Sequence, residues 1–445
     1  MDIMRVIDFR TLAGTEFSTV PLPRPRVDIR AALKQVEPIM QSVQERGAEA
    51  LAELAKKFDG VCPPYLRVPE SELVKAERQL SPELRQALQI SIEHNRAGHR
   101  AQLPIEKNTQ IIPGGYVRQR WIPVQRVGLY VPGGLAVYPS SVIHNAVAAQ
   151  VAGVAEIALA SPPQANYGGL PHPVILAACQ LLGIKEVYAV GGAQAVAMFA
   201  YGIPSGESAS VPICKPVDMV TGPGNIFVAA AKRYVKGKVG IDAEAGTTEI
   251  AILADENANP EYVAADLLSQ AEHDPAAASL LITPSVELAQ AVNKAVARQA
   301  ENTKHRERVK QALSGEQSAI VITRDLDQAA AAVNAYGPEH LEIQTQDAAA
   351  WATKIVNAGA IFIGDYTPVP LGDYMAGSNH VLPTGGTARF SSGLNALTFL
   401  KSVQEITYTH AAMESLYAPL HALATAEDLP AHAHALAVRL EDLEN

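Results

Sequence analysis

The chain has 445 residues, more than one hydrophobic core usually supports, so at least two lobes are expected. Apolar residues make up 48% and charged residues 18%, which excludes a disordered chain and fits an ordinary globular one. A net charge of −10 argues against general nucleic-acid binding, yet local dipoles leave room for an anionic cofactor.

The opening "MDIMRVIDFR" lacks the apolar core of a signal peptide, and no apolar run is long enough to span a bilayer. Cys62, Cys179 and Cys214 are widely spaced with no CxxC, so no disulfide framework is expected and a reducing, cytoplasmic setting is the default. Residues from about 30 to 100 read as helices. One runs through "IRAALKQVEPIMQSVQERGAEALAELAKKFDG" to a stop at Gly60; another opens at Ser81-Pro82.

From about 126 to 242 strand-like and helix-like segments alternate. "RVGLYV" (126–131) is a strand, Pro132-Gly133-Gly134 a turn, and "SSVIHNAVAAQVAG" a serine-capped helix. "EIALAS", a helix from His172, "VYAV", a helix through "GAQAVAMFA", "DMVT" and a helix through "NIFVAAAKRYV" follow. Such βα units predict a parallel sheet covered on both faces. A second run starts at "EIAILAD" (249–255), with Asn259-Pro260 as a cap-then-proline helix start. It continues through "SLLIT", a helix from Ser285, "AIVIT", a helix over Leu326–Tyr336, "LEI", a helix at Asp347 and "AIFIG". The last fifty residues read as helical, and no repeat or low-complexity tract stands out.

Three glycine-rich turns each follow a strand and open a helix: "VPGG" (131–134), "VGGAQA" (190–195) and "TGPGN" (221–225). That position presents backbone N–H groups to phosphate, although none is a full GxGxxG fingerprint. In "LLSQAEHDP" the spacing of three places Gln270 and His273 on one helix face. Asp373 and His380 fall in a polar loop, "LGDYMAGSNHVLPTGG" (371–386), and Glu427, His432 and His434 lie near the end. Singly, each has a bland reading: a solvated surface pair, a flexible connection, idle terminal histidines. Together they offer Gln, His, Asp and His as a ligand set for a divalent ion, zinc being favoured by imidazole and carboxylate. In "GPEHLEI" (337–343) a carboxylate and an imidazole stand side by side just past a helix end. Neighbours on an extended chain point to opposite sides, so Glu339 and His340 are expected to aim apart.

The segments "VGLYVPGG", "VGGAQAVA", "TGPGNIFV", "ADLLSQAEHDP", "YGPEHLEI", "NAGAIFIGDYTPVPLGDYMAGSNHVLPT" and "ARFSSGL" together resemble the histidinol dehydrogenase family, in order and from near residue 30 to the C-terminal helix. The resemblance implies an α/β fold of two incomplete Rossmann-like lobes, with parallel sheets flanked by helices and small helical N- and C-terminal pieces. It implies an N-terminal segment (1–29), a discontinuous α/β domain (30–129 with 250–393) carrying the catalytic pair, an inserted NAD-contacting domain (130–249) and a C-terminal dimerisation tail (394–445). The implied activity is oxidation of L-histidinol through L-histidinal to L-histidine with two NAD+ and one zinc ion per site. The implied metal ligands are Gln270, His273, Asp373 and His432. Substrate contacts fall on Thr248, Gln270, His273, His340, Asp373, His380, Glu427 and His432, and cofactor contacts on Tyr130, Gln194 and Asn225. Glu339 would activate water and His340 would be the base. A homodimer is implied, with Glu427 and His432 serving the partner's site.

Two departures stand out. Residues 246–248 read Gly-Thr-Thr where many relatives have Gly-Pro-Ser, so Thr248 keeps the hydroxyl with an added methyl; and the segment 202–218 is longer than in many relatives. No cysteine lies beside the catalytic residues in sequence, so none is assigned a role. The competing readings are a related zinc- and NAD-dependent dehydrogenase of another alcohol, a zinc hydrolase that generates hydroxide, and a non-catalytic nucleotide-binding or scaffold protein.

Overall fold

The computed structural model describes residues 3–12, 17, 22–25, 28–133, 137–204, 213–244 and 246–441. Gly134 of the first glycine turn and residues 205–212 of the long segment lie outside them. A short strand, β1 (Val6–Asp8), precedes four helices: α1 (Ile29–Arg46), α2 (Ala48–Phe58), α3 (Glu70–Arg78) and α4 (Pro82–Ala101). The helix expected to run unbroken to Gly60 instead divides at Gly47, and α4 starts where Ser81 accepts the Leu84 N–H, as its Ser-Pro signal predicts. A hairpin, β2 (Lys107–Ile112) and β3 (Gly115–Pro123), leads into the first sheet.

That sheet is built from β4 (Arg126–Tyr130), α5 (Pro139–Ala152), β5 (Glu156–Ser161), α6 (Pro173–Leu181), β6 (Glu186–Ala189), α7 (Gly192–Tyr201), β7 (Met219–Thr221), α8 (Ile226–Val235) and β8 (Gly240–Ile241). Its order is β6-β5-β4-β7-β8, all pairs parallel. All of β4 is buried, as a strand covered on both faces requires. One expectation fails at α5. The helix begins at Pro139 and carries no side-chain cap, so the two serines sit inside its first turn.

The second sheet holds β9 (Glu249–Ala254), α9 (Pro260–Ala271), β10 (Ala278–Thr283), α10 (Val286–Ala300), α11 (Arg306–Ser314), β11 (Ala319–Ile322), α12 (Leu326–Tyr336), β12 (His340–Gln344), α13 (Ala348–Ala352), β13 (Ala360–Ile363) and α14 (Val369–Tyr374). Its order is β1-β11-β10-β9-β12-β13, again all parallel. Helix α14 corrects the expected loop: Asp373 lies in its last turn, and only the stretch after it, with His380, is irregular. At the C-terminal ends of β9 and β12 is a crevice of about 620 Å³, lined by Asn257, Gln344, Asp347 and Tyr366 among others.

The last fifty residues are not all helical. Strand β14 (Leu400–Tyr408) pairs antiparallel with β3 from Leu400↔Pro123 to Tyr408↔Gly115, and only then come α15 (His410–Ser415), α16 (Tyr417–Ala426) and α17 (Pro430–Glu441). Most β14 side chains are exposed, so the strand lacks the apolar alternation that marks a half-buried one.

The helices before β2 pack on helices of the first sheet. Helix α1 packs on α7 and α8, α3 on α6 and α4 on α5. Val36, Met40, Val43 and Leu51 are buried in one cluster with Val196, Phe199, Val228 and Val235. Helices α1 to α4 therefore cover the five-stranded sheet, whereas β1 joins the edge of the six-stranded one and Met4, Phe17 and Leu22 pack into its core. Each fully buried aliphatic side chain there contributes about 1.5–3 kcal/mol, enough to fix which lobe a helix joins.

Candidate active site

The chemistry gathers at the N-terminal edge of the six-stranded sheet. Helix α12 stops at Gly337, whose φ of +57° suits glycine and whose N–H donates to Val333 O. Pro338 cannot extend the helix, and the chain turns into β12 at His340. Glu339 precedes the strand, so strand alternation does not separate the pair: Glu339 Oε2 lies 3.5 Å from His340 Nδ1. Both are held by one residue. The Glu249 N–H donates to Glu339 Oε2 (2.9 Å), and His340 Nδ1 donates to Glu249 O (3.3 Å). A carbonyl oxygen can only accept, so the imidazole proton is assigned to Nδ1. Nε2 is then a bare lone pair, buried and without a hydrogen-bond partner among the described residues, with Asp373 Oδ1 4.0 Å away. Burial holds the His340 pKa below its ordinary value, against the pull of Asp373.

Glu339 also accepts from Thr248 Oγ1 at 2.6 Å. Burial nevertheless pushes its pKa up to about 8, the two hydrogen bonds opposing and Asp373 adding to the rise. The Thr248 hydroxyl has one proton and spends it on the carboxylate. Its contact with Gln270, 2.6 Å, must therefore be with the amide nitrogen as donor. That orientation leaves Gln270 Oε1 buried with no partner among the described residues. An orphaned buried acceptor costs about 1–3 kcal/mol, so this oxygen is placed for a partner from outside the chain.

His273 follows Gln270 by three residues, just past the end of α9, and its ring lies parallel to that of Tyr138 at 6.3 Å between centroids. Burial, then the nearby His340, lowers its pKa, which keeps the imidazole neutral as a ligand must be. Burial raises the Asp373 pKa, offset by His340. His380 Nδ1 stands 4.0 Å from Asp373 Oδ1, and its Nε2 meets Ser141 Oγ at 3.1 Å. The His380 N–H donates to His144 Nδ1 (3.0 Å), and the two rings stack at 4.1 Å. Thr248, Gln270, His273, Glu339, His340, Asp373 and His380 thus converge between the lobes, with α5 of the first lobe as the opposing wall. Gln270, His273 and Asp373 form a nitrogen-and-oxygen donor set that suits zinc, and the orphaned amide oxygen fits such an ion. Among the described residues no group of three or more His, Cys, Asp or Glu is placed for a metal. Glu427 and His432 are exposed on the C-terminal arm, where α16 and α17 pack on each other and on α15. The fold of one chain does not bring them into the cluster.

The glycine turns lie at the C-terminal edge of the five-stranded sheet. Tyr130 ends β4, its buried hydroxyl accepts from the Gly192 N–H (3.1 Å), and burial pushes its pKa up to about 12. Gln194 is buried in the first turn of α7. Asn225 caps α8, its Oδ1 accepting from the N–H groups of Phe227 and Val228. At Gly222 φ is +118°, and a Cβ would sit 2.0 Å from Tyr130 O, so only glycine lets the two turns approach. Lys232 and Asp242 form a buried ion pair that grips the same turn: Lys232 Nζ donates to Gly222 O, and Asp242 Oδ2 accepts the Gly222 N–H.

The sequence reading missed Ser141, His144, Tyr138, Lys232 and Asp242. A polar pair inside the otherwise apolar "SVIHNAVAA" was the available signal for α5; Lys232 and Asp242 gave none, being ten residues apart on different elements. Cys179 and Cys214 are buried in the first lobe with thiol pKa values raised by burial, and Cys62 is exposed.

The sequence model of the family described as histidinol dehydrogenase matches residues 22–440. Histidinol dehydrogenase of Thermobifida fusca (strain YX) is 58% identical over 419 residues, 94% of either chain. The same enzyme of Leifsonia xyli subsp. xyli is 54% identical over 440 residues, covering 99% of this chain and 100% of its own. A crystal structure of histidinol dehydrogenase from Elizabethkingia anophelis matches with a TM-score of 0.91 at 31% identity, covering both chains completely. With the motifs, the two parallel sheets and the sequence match all in agreement, the chain belongs to the histidinol dehydrogenase family.

Proposed function

We propose that the protein oxidises L-histidinol through L-histidinal to L-histidine, the closing steps of histidine biosynthesis, with two NAD+ consumed per turnover. Besides family membership, one observation carries this reading: a neutral, buried imidazole with a free Nε2 stands beside a buried carboxyl of raised pKa. Two proton acceptors of different strength at one centre suit a two-stage oxidation.

His340 Nε2 takes the alcohol proton as hydride leaves the carbinol carbon, giving the aldehyde. Glu339, once ionised, removes a proton from water as the water oxygen bonds to the aldehyde carbon. The imidazolium formed at His340 returns its Nε2 proton to the former carbonyl oxygen, which completes the gem-diol and frees Nε2 again. His340 then takes a hydroxyl proton from the gem-diol as the second hydride leaves, and the carboxylic acid formed ionises to histidine. NAD+, when bound, supplies the hydride acceptor, contacted by Tyr130, Gln194 and Asn225. Zinc, when bound, supplies a Lewis-acidic anchor for the substrate's imidazole and amino nitrogens. Gln270, His273 and Asp373 would hold it, with His432 of a second subunit as the fourth ligand. Thr248, His380 and Glu427 complete the substrate contacts.

The exposed positions of Glu427 and His432, on an arm that packs mainly on itself, support a homodimer in which each arm serves the other site. Three free cysteines among the described residues support a reducing, cytoplasmic setting. No helix is long and apolar enough to cross a membrane among the described residues.

The test is stoichiometry. Zinc-loaded protein, limiting L-histidinol and excess NAD+ are expected to give two NADH per histidinol, lost with a chelator and restored by zinc. One NADH per histidinol refutes the role of Glu339; none, in folded zinc-loaded protein, refutes the substrate.

A further inference from the structure

A second pair of acidic groups lies buried behind the site and takes no part in the steps above. Glu342 is the third residue of β12, two on from His340, and is 1% exposed. Asp266 is on α9, one turn before Gln270, and is also buried. A single amide nitrogen, Gln344 Nε2, donates to both: 2.9 Å to Asp266 Oδ2 and 2.9 Å to Glu342 Oε2. The other oxygen of Glu342, Oε1, accepts the Val369 N–H at 2.9 Å. Val369 is the first residue of α14, whose preceding residue, Pro368, offers no side-chain cap. Glu342 thus does the work of the missing cap from another element.

The groups facing the pair are Gln344 of β12 and the Val369 N–H of α14. No cation among the described residues offsets it. Two carboxylates in contact, buried and without a cation, cannot both stay ionised at neutral pH. Burial, and for Glu342 also Asp266, raises both pKa values, in agreement with the geometry. Each of the three elements joined here carries a residue of the site: α9 with Gln270, α14 with Asp373, and β12 with His340.

We infer that Asp266 and Glu342 share one proton and act as a positioning pair, tying α9 and α14 to the catalytic strand so that Gln270 and Asp373 stay in register with His340. The functional half of this inference rests on the proposed metal and substrate site; the proton half does not. Neither residue touches substrate. A neutral isostere on either side reproduces the protonated pair, whereas truncation leaves one carboxylate buried alone and, in Glu342→Ala, the Val369 N–H without its acceptor.

The experiment pairs infrared spectroscopy with metal retention. At neutral pH the full-length protein is expected to show the C=O band of a buried carboxylic acid that disappears in Glu342→Gln and in Asp266→Asn but survives in Glu339→Gln. Zinc transfer to a chelator is expected to become about 10–100-fold more favourable in Glu342→Ala. KM for L-histidinol rises with it, and Glu342→Gln restores both. The same band in wild type and both isosteres overturns the shared proton. Wild-type zinc retention in folded Glu342→Ala and Asp266→Ala overturns the positioning role. Should L-histidinol yield no NADH even in wild type, the functional reading fails, while the band still decides the proton.

Discussion

Thr248→Val removes one oxygen from the centre of the site and keeps the side-chain volume. In the wild type that oxygen donates to Glu339 Oε2 and accepts from Gln270 Nε2, both at 2.6 Å. A hydrogen bond to a charged group contributes about 1.5–3 kcal/mol. Its loss destabilises only the ionised form of Glu339, so at 1.36 kcal/mol per pH unit the pKa rises by about 1–2 units. The starting point is already high, about 8, because of burial. The step that needs ionised Glu339 is hydration of the aldehyde. Supplying L-histidinal with NAD+ and following NADH against pH isolates it. The alkaline-rising limb is expected to move up by about 1–2 pH units, and the rate near neutral pH to fall about 10–100-fold. Thr248→Ser, which keeps the hydroxyl, should leave the limb in place. A limb unmoved in Thr248→Val would mean that Thr248 does not set the acidity of Glu339. Stability carries the same sign. Glu339 has a raised folded-state pKa, so its contribution in metal-free protein is full below the ordinary carboxylate range and is lost as pH rises through about 8. Melting of Thr248→Val should continue to fall with pH beyond the point where the wild type levels off, over a background lowered by the unpaired Gln270 amide.

Other expectations concern the cofactor turn and the arm. Gly222→Ala places a Cβ 2.0 Å from Tyr130 O at a φ of +118°, so the two turns must part; NAD+ affinity measured by calorimetry is expected to fall with little change in zinc content. Mixing His432→Ala with His340→Ala, each inactive alone, should recover about a quarter of wild-type activity if subunits exchange at random, because half the dimers are mixed and each has one intact site. No recovery in verified heterodimers would end the shared-site proposal.

Much of the fold was legible because the two parallel sheets announce themselves. Strands such as β4, β9 and β10 are buried along their whole length and read as short apolar runs between glycine, proline and asparagine signals. Strand β14 was missed for the opposite reason: its pairing with β3 relies on backbone bonds, while most of its side chains remain in water. The packing of α1 to α4 on the first sheet was not legible either, since an amphipathic face does not state which of two sheets it will cover. At the site, residue types were readable and their relations were not. That Glu339 and His340 are held by the backbone N–H and C=O of one residue, Glu249, depends on register between β9 and β12, ninety residues apart in sequence. The proton assignments at Thr248, Gln270 and His340 follow only when donors and acceptors can be counted in space.

The two sheets face the site with opposite ends: the first with its C-terminal edge, the second with its N-terminal edge. The outward end of the second sheet, with the crevice beside Asn257 and Asp347, is therefore separated from His340 by the length of β12, about 13 Å from His340 to Gln344 at 3.3 Å per residue. That end offers a place for a probe. A fluorophore on a cysteine introduced at exposed Glu256 or Asp347 rides on the rigid catalytic sheet while leaving substrate, metal and cofactor positions untouched. Paired with a second dye on the first lobe, it turns the separation of the lobes into an optical signal that can be followed through both oxidation stages of a single turnover.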